Sequence, residues 1–393
     1  MGTGWFYSME STNERNRRIS QLRDFLAIDP ANVPLACELF DACVDAGEIG
    51  QAVLLLETLP PQVQTDAAIR FRQARGGLMQ GRYADAVHWL GGLIGEGHAN
   101  AALWHDLAFA QLCIRDTQAA RATLADAQAR FGDEVELDVV AARVAMMDDE
   151  LVQALERLDR VLAQAPAHAT AQGVRALALF DHGDTDAGYA AAMACLAVHP
   201  DQHEALLVAG TAALWRRALN ESEAHFVRAL ARHANSGRCL SGLGQVRMQQ
   251  NRLGEAGALL RNATVAMPDH IGTWHALAWV ALLEGHIDAA EASYQRAYDL
   301  DRNFADSHGG LALIHVLRGR NDEAELAIRR ALRLNPQCPT ALYAQTLLLE
   351  AEGRGDEALR LLGNLVQPSD LPEGMELAEL SRTLRARIQS ESR

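Results

Sequence analysis

The chain has 393 residues, of which 22% are charged and only 5% are aromatic, and its formal net charge is −15. A chain of this length would be expected to form two or three globular domains, while the acidic charge argues against a protein that binds nucleic acid or an anionic membrane. The low aromatic content and the abundance of alanine argue against an all-β chain, because strands favour β-branched and aromatic residues. The composition therefore favours many closely packed helices.

The N-terminal segment, residues 1–12, is predicted to be disordered, and residues 13–32 are expected to form one helix that Pro30 closes. The segment has neither the basic nor the apolar stretch of a signal peptide, and no part of the chain reaches the roughly 18 apolar residues of a membrane span. The six cysteines include no CxxC pair, which is typical of reduced, buried thiols in a reducing compartment. We therefore expect a cytoplasmic protein without membrane insertion.

A 34-residue repeat occupies most of the remaining chain. Ten units follow one another in a fixed phase, without insertion or deletion, and start at Val33, Ala67, Ala101, Val135, Ala169, His203, Gly237, Ile271, Ala305 and Pro339. A small residue recurs near the start of the second helix of every unit, at Ala52, Ala86, Ala120, Ala154, Gly188, Ser222, Ala256, Ala290, Ala324 and Ala358. Two helices approach closely only where a side chain is small, and large residues such as Trp104, Leu107 and Leu124 fill the space beside the crossing.

Turn residues separate the two helices of a unit. Glycines that favour a left-handed backbone are expected at the end of the first helix, at Gly47, Gly81, Gly183, Gly285, Gly319 and Gly353. Prolines that stop the second helix stand in one phase, at Pro166, Pro200, Pro268 and Pro336. The whole pattern resembles the tetratricopeptide repeat family, whose unit is a pair of antiparallel helices of 34 residues.

The resemblance implies an all-α fold, a right-handed α-solenoid of antiparallel helix pairs that is one continuous superhelix over residues 33–372. It implies that residues 13–32 are half a repeat that caps the N-terminal end. It also implies that residues 373–393 are a C-terminal capping helix and tail. Three residues, Arg70, Asp138 and Gln172, replace the large residue that opens the first helix, which predicts local irregularity.

In the family that this chain resembles, the first helices line a concave groove, and the second, fifth, sixth, ninth, twelfth and thirteenth residues of each unit face into it. The fifth, ninth and thirteenth residues make the inferred groove of this chain largely apolar and aromatic, with a basic patch on its N-terminal side. The candidate partner-binding residues are Phe71, Arg72, Arg75, Met79, His105, Phe109, Arg143, Met147, Leu177, Leu207, Thr211, Trp215, Gln245, His275, Trp279, Leu313, Tyr343 and Leu347. The alternative is that these side chains pack against neighbouring first helices.

No catalytic site, cofactor or metal is expected. The chain has no GxxxxGK[ST], HExxH, GxSxG or CxxC motif. His199 and His203 are four residues apart, but Pro200 lies between them, so a shared helical face is not expected. His308 and His315 stand in packing slots that large residues normally occupy, which indicates core histidines.

We therefore expect a non-enzymatic bacterial scaffold, assembly factor or dedicated chaperone that binds an apolar or amphipathic segment of a partner protein. Methionine and aromatic residues are common anchors in helix-in-groove recognition, and an exposed apolar stripe is unfavourable unless a partner covers it. The chain has no lysine and no asparagine at the ninth residue of a unit, so the family's groove for chaperone C-terminal carboxylates is not expected. Two alternatives are a homo-oligomeric structural protein and a regulatory subunit of a catalytic partner.

Overall fold

The structure is a computed structural model that describes the backbone of residues 4–365 and the side chains of residues 14–363. Over this range the chain forms 22 helices and no strand, so the predicted all-α class is confirmed. The chain divides into two compact units, residues 1–188 and residues 189–393, which we call the N-terminal unit and the C-terminal unit. The predicted capping helix at residues 373–393 lies outside the described residues.

The helices follow the 34-residue phase. The N-terminal unit contains α1 (Gly4–Ile28), α2 (Val33–Asp45), α3 (Ile49–Thr58), α4 (Pro61–Gln64), α5 (Ala67–Met79), α6 (Tyr83–Gly95), α7 (Ala101–Cys113), α8 (Thr117–Phe131), α9 (Val135–Met147), α10 (Leu151–Gln164) and α11 (Ala169–Asp181). The boundary between the units falls within α12 (Thr185–Val198). The C-terminal unit contains α13 (His203–Trp215), α14 (Leu219–Arg232), α15 (Gly237–Gln249), α16 (Leu253–Ala266), α17 (Ile271–Leu283), α18 (Ile287–Leu300), α19 (Ala305–Leu317), α20 (Asn321–Leu334), α21 (Pro339–Ala351) and α22 (Gly355–Leu365).

Two elements differ from the regular pattern. Helix α1 begins at Gly4, within the segment that the sequence predicted to be disordered. Helix α3 ends at Thr58, and a short helix, α4, follows it. The cause of the early end is the pair Pro60 and Pro61, because proline lacks the N–H that would continue the hydrogen-bond ladder. Within the described residues, no helix combines the length and the apolarity that a membrane crossing requires.

Small residues allow the helices to pack closely. In the N-terminal unit, Ala74 and Ala108 on first helices and Ala86 and Ala120 on second helices have no exposed surface. Beside them Leu90, on α6, is equally buried. Because an alanine leaves room at the crossing, the larger side chain of the facing helix fills the space next to it. This is the packing that the sequence predicted.

A residue with a left-handed backbone follows each first helix of the ten repeat units. Six of the ten are the glycines predicted from the sequence, and four are Arg115, Asp149, Arg217 and Asn251. At Asp149 φ is 63°, and the turn is closed by the Glu150 N–H, which donates to the Ala145 carbonyl at 2.8 Å. A residue other than glycine is strained in this conformation, because its Cβ approaches the following carbonyl oxygen.

The first prediction concerns this strain. Asp149→Gly should raise the free energy of unfolding by about 0.5–1 kcal/mol, since relief of the Cβ clash exceeds the entropy that glycine gains in the unfolded chain. Asp149→Ala is the matched control, because alanine loses the carboxylate but keeps the Cβ. Urea denaturation followed by circular dichroism measures both variants. Equal stabilisation by alanine would show that the carboxylate, and not the backbone, is the source of the effect.

Aromatic side chains on two second helices of the C-terminal unit pack against glycines. Phe226 and Tyr294 are almost completely buried. A Cβ atom added at Gly242 would lie 2.3 Å from the Phe226 ring, and one added at Gly310 would lie 2.2 Å from the Tyr294 ring. The residue that corresponds to Phe226 and Tyr294 in the intervening unit is leucine, Leu260. Each large aromatic side chain is therefore paired with a residue that has no side chain.

The second prediction tests this pairing. Gly310→Ala should destabilise the protein by about 1–3 kcal/mol, the usual effect of overpacking. Gly254→Ala is the matched control, since a Cβ there meets nothing within 4 Å, and it should be neutral or stabilising by up to about 1 kcal/mol. Adding Tyr294→Leu to Gly310→Ala should recover part of the loss, because the smaller side chain makes room for the Cβ. The melting temperatures of the wild type, the two alanine variants and the double variant are compared by thermal unfolding. Equal stability of Gly310→Ala and Gly254→Ala would contradict the pairing of Tyr294 with Gly310.

Candidate protein-binding groove

The N-terminal unit contains a groove along its first helices α5, α7 and α9. It consists of two overlapping cavities, each of 300 Å³, that share Arg75, His105, Asp106 and Glu136. We call it the N-terminal groove. Six of the predicted binding residues line it, namely Phe71, Arg75, Met79, His105, Phe109 and Arg143. The structure therefore brings together residues that three successive units contribute from equivalent slots.

Charged and aromatic side chains hold one another in place in this groove. The Arg75 guanidinium lies over the Phe71 ring, 5.9 Å from its centroid, and its Nε is 3.5 Å from Asp106 Oδ2. The other Asp106 oxygen lies 2.9 Å from His105 Nδ1. The His105 ring is stacked on Phe109, with centroids 6.5 Å apart and planes 5° apart. These contacts connect α5 and α7 along the groove.

Apolar surface remains accessible beside this network. Phe71 and Phe109 are half-buried, and 37% of Met79 is exposed. Met147 is exposed as well, although it does not line either cavity, and Leu177 is half-buried. The groove thus offers apolar side chains next to the charges of Arg75 and its neighbours.

The predicted basic patch is offset by carboxylates. Arg72 makes two hydrogen bonds to Asp41, from Nε at 3.2 Å and from Nη2 at 2.5 Å, and it lines a separate cavity with Asp41. Arg75 has Asp106 beside it. Only Arg75 and Arg143 of the three predicted arginines line the N-terminal groove.

The sequence prediction did not include two acidic residues of the groove, Asp106 and Glu136. They stand at the sixth and the second residue of their units, and both line the two cavities. Glu136 Oε1 is 3.0 Å from His168 Nε2. The sequence could have indicated both residues, because the second and sixth slots also face the groove in the family. The candidates were taken mainly from the fifth, ninth and thirteenth slots.

In the C-terminal unit, part of the predicted site is packed away. Leu207, Leu313 and Leu347 are 4%, 0% and 2% exposed, so they offer no surface to a partner, and the packing alternative describes them correctly. Thr211 donates from Oγ1 to the Leu207 carbonyl at 2.8 Å. Gln245 donates from Nε2 to the Ser241 carbonyl at 3.4 Å. Both polar side chains are therefore bonded to their own helices.

The aromatic members of the predicted site in the C-terminal unit are more accessible. Trp279 and Tyr343 are half-buried, and their ring centroids are 6.3 Å apart. Trp215 is 62% exposed. His275 instead packs between the rings of Tyr294 and Phe304, and its Nε2 is 3.0 Å from Ser307 Oγ. Burial lowers the pKa of His275 below its usual value.

The third prediction follows from the lowered pKa of His275. As pH falls through the ordinary histidine pKa of about 6.5, His275 binds a proton in the unfolded chain before it does so in the folded chain. The free energy of unfolding therefore decreases as the pH is lowered. His275→Gln should therefore reduce the loss of melting temperature between about pH 7.5 and 5.5. The control His286→Gln changes an exposed histidine of the same unit and should leave the loss unchanged. An identical pH dependence in both variants would refute the role of His275.

The structure places the histidines that the sequence analysis singled out. Within the described residues, no group of three or more His, Cys, Asp or Glu side chains is placed to hold a metal ion. His308 is 4% exposed, its Nε2 bonds to the Arg302 carbonyl at 2.8 Å, and its ring packs on Tyr298. It is a core histidine, as the sequence indicated. His203 packs on His233, with ring centroids 4.5 Å apart.

Comparison with known proteins supports the repeat. Residues 281–348, from α17 into α21, match the family model described as tetratricopeptide repeat. That segment is similar to the tetratricopeptide repeat family, and the helix pairs of the described residues follow the same 34-residue phase on both sides of it. Such repeats form scaffolds that bind other proteins or peptides. No curated protein matches the chain.

Three solved structures resemble parts of the chain. The MamA protein is 21% identical, with a TM-score of 0.33, and the match covers 41% of this chain and 87% of that protein. YrrB, described as a tetratricopeptide repeat protein with an unusual peptide-binding site, is 17% identical, with a TM-score of 0.35 and coverages of 49% and 97%. TTC0263, a thermophilic tetratricopeptide repeat protein of Thermus thermophilus, is 21% identical, with a TM-score of 0.38 and coverages of 46% and 98%.

Proposed function

We propose that this tetratricopeptide repeat protein is a non-enzymatic scaffold that binds an apolar or amphipathic segment of a partner protein in the N-terminal groove. The proposal rests on one observation, that apolar and charged side chains line the same groove. The accessible apolar side chains are Met79 and Phe109, and the charged ones are Arg75, Asp106 and Arg143. An amphipathic segment would place its apolar residues on Met79 and Phe109 and its polar residues against the charged side chains of the groove.

The finer role that we propose is that of an assembly factor or dedicated chaperone in the bacterial cytoplasm. Such a groove would cover an apolar segment of the partner protein that is exposed to water until the partner has assembled. Methionine suits this task, because its flexible side chain adapts to segments of different shape. Among the described residues the cysteines form no disulfide, and five of the six are buried, which suits a reducing compartment.

The fourth prediction tests the groove. Phe109→Glu should abolish recovery of the partner in affinity purification, because a carboxylate would be buried against the partner's apolar face. Val152→Glu is the matched control, since Val152 is 59% exposed on α10 and lines none of the cavities of the groove. Quantitative mass spectrometry compares the proteins recovered with the wild-type chain and the two variants, after circular dichroism has shown that all three are equally folded.

The two possible outcomes are distinct. Loss of a specific protein with Phe109→Glu but not with Val152→Glu supports binding in the N-terminal groove. Recovery of the same set of proteins at the same yield with both variants would refute it.

A further inference from the structure

A further cavity of the N-terminal unit is lined by the second helices α8 and α10 and by the first helix α9. Its volume is 170 Å³. Its apolar part is formed by Leu124 from α8 and by Leu137, Ala141 and Val144 from α9. It adjoins the N-terminal groove, since Glu134 and Leu137 line both, but its other lining residues are different.

The cavity exists because one unit lacks two large side chains. In the unit that starts at Ala101, the fourth and seventh residues are Trp104 and Leu107, and both are buried. In the next unit the same two slots hold Asp138 and Ala141, and both line the cavity. Helices α8 and α9 accordingly pack less closely than the corresponding pairs α6–α7 and α10–α11. In five of the ten units leucine fills the seventh slot, at Leu39, Leu107, Leu243, Leu277 and Leu311.

Two arginines from opposite sides line this cavity, and carboxylates hold both of them. Arg157 on α10 donates from Nη1 to Asp138 Oδ1 at 3.1 Å. Arg121 on α8 donates from Nε to Asp148 at 2.8 Å and from Nη2 to Glu150 at 2.6 Å. Ion pairs of this kind restrict the side-chain rotamers, so each planar guanidinium has a defined place before any ligand arrives.

We propose that this cavity binds an aromatic side chain of a partner polypeptide. Its volume is sufficient for a ring, since an engineered apolar cavity of about 150 Å³ takes up benzene. Guanidinium groups stack on aromatic faces. The chain itself uses this contact in the preceding unit, where Arg130 Cζ lies 5.1 Å from the centroid of the Trp104 ring. The partner's ring would thus supply what the missing fourth-slot side chain does not.

Other small ligands suit the lining less well. An anion would meet the carboxylates of Asp133, Glu134 and Asp138, which also line the cavity, and like charges at short range repel. A cation would meet Arg121 and Arg157. An aliphatic side chain would contact the apolar part but would gain nothing from the guanidinium faces.

The experiment uses the full chain and N-acetyl-5-fluorotryptophanamide, a ring with polypeptide on both sides, observed by ¹⁹F NMR. The wild-type protein should broaden and shift the fluorine signal, and N-acetylleucinamide should not reverse the effect. Ala141→Leu should weaken binding by about tenfold or more, because the leucine occupies the space of the ring. Ala84→Leu, on the exposed side of α6 and outside the cavity, is the matched control and should bind as the wild type does.

A second variant covers the case in which Ala141→Leu does not fold. Arg157→Gln removes the planar guanidinium but keeps a donor for Asp138, and it should also weaken binding of the fluorotryptophan amide. Equal binding to the wild type and to both cavity variants would overturn the proposal, and so would the absence of binding to the wild type. Binding of 5-fluoroindole without binding of the amide would overturn it too, because the cavity would then accept a free ring but not a side chain.

Discussion

The close approach of paired helices at buried small residues is the constraint on which this structure depends. Alanine, glycine or serine returns in the same slot every 34 residues, and the alanines at these crossings have no exposed surface. Two backbones can come this close only without bulky side chains between them, so the larger buried side chains lie beside the crossing. Where the facing side chain grows from leucine to Phe226 or Tyr294, the opposite residue becomes Gly242 or Gly310.

The same constraint decides which side chains remain for binding. Slots beside the crossings are filled by packing, and only side chains that the next helix leaves uncovered can meet a partner. At the ninth residue of the units, Phe109 remains accessible in the N-terminal groove, whereas Leu313 and Leu347 are buried. The cavity at Asp138 and Ala141 also follows from packing. In the preceding unit large side chains fill the fourth and seventh slots, whereas here a polar and a small residue occupy them. Accessible apolar surface is therefore a local property of particular units.

Much of the fold could be predicted from the sequence, because helix starts depend on a periodic pattern that needs no knowledge of neighbours. The starts of α2, α5 and α7 lie where the 34-residue phase predicts them. Glycines marked six of the left-handed turns in the sequence, whereas Arg115 and Asp149 stand in the same slot, the fifteenth residue of their units, without a glycine to mark it.

The candidate site was less predictable than the fold. The family's slots singled out Arg75, His105 and Phe109, and the structure places these three side chains in one groove. They could not show that Leu313 is buried, because exposure depends on the sizes of side chains in adjacent units. The substitution of Asp138 was visible in the sequence as a departure from the pattern, but the cavity beside it arises only in combination with Ala141 and the two arginines of neighbouring helices.

Site-specific photo-crosslinking tests the central claim, that the side chains which packing leaves uncovered on the first helices form the binding surface. A benzoylphenylalanine replaces Met79, which is 37% exposed in the N-terminal groove, or Val152, which is exposed on a second helix. We expect the partner to be crosslinked from position 79 and not from position 152. Crosslinking from position 152 alone, or with equal yield from both positions, would contradict the claim.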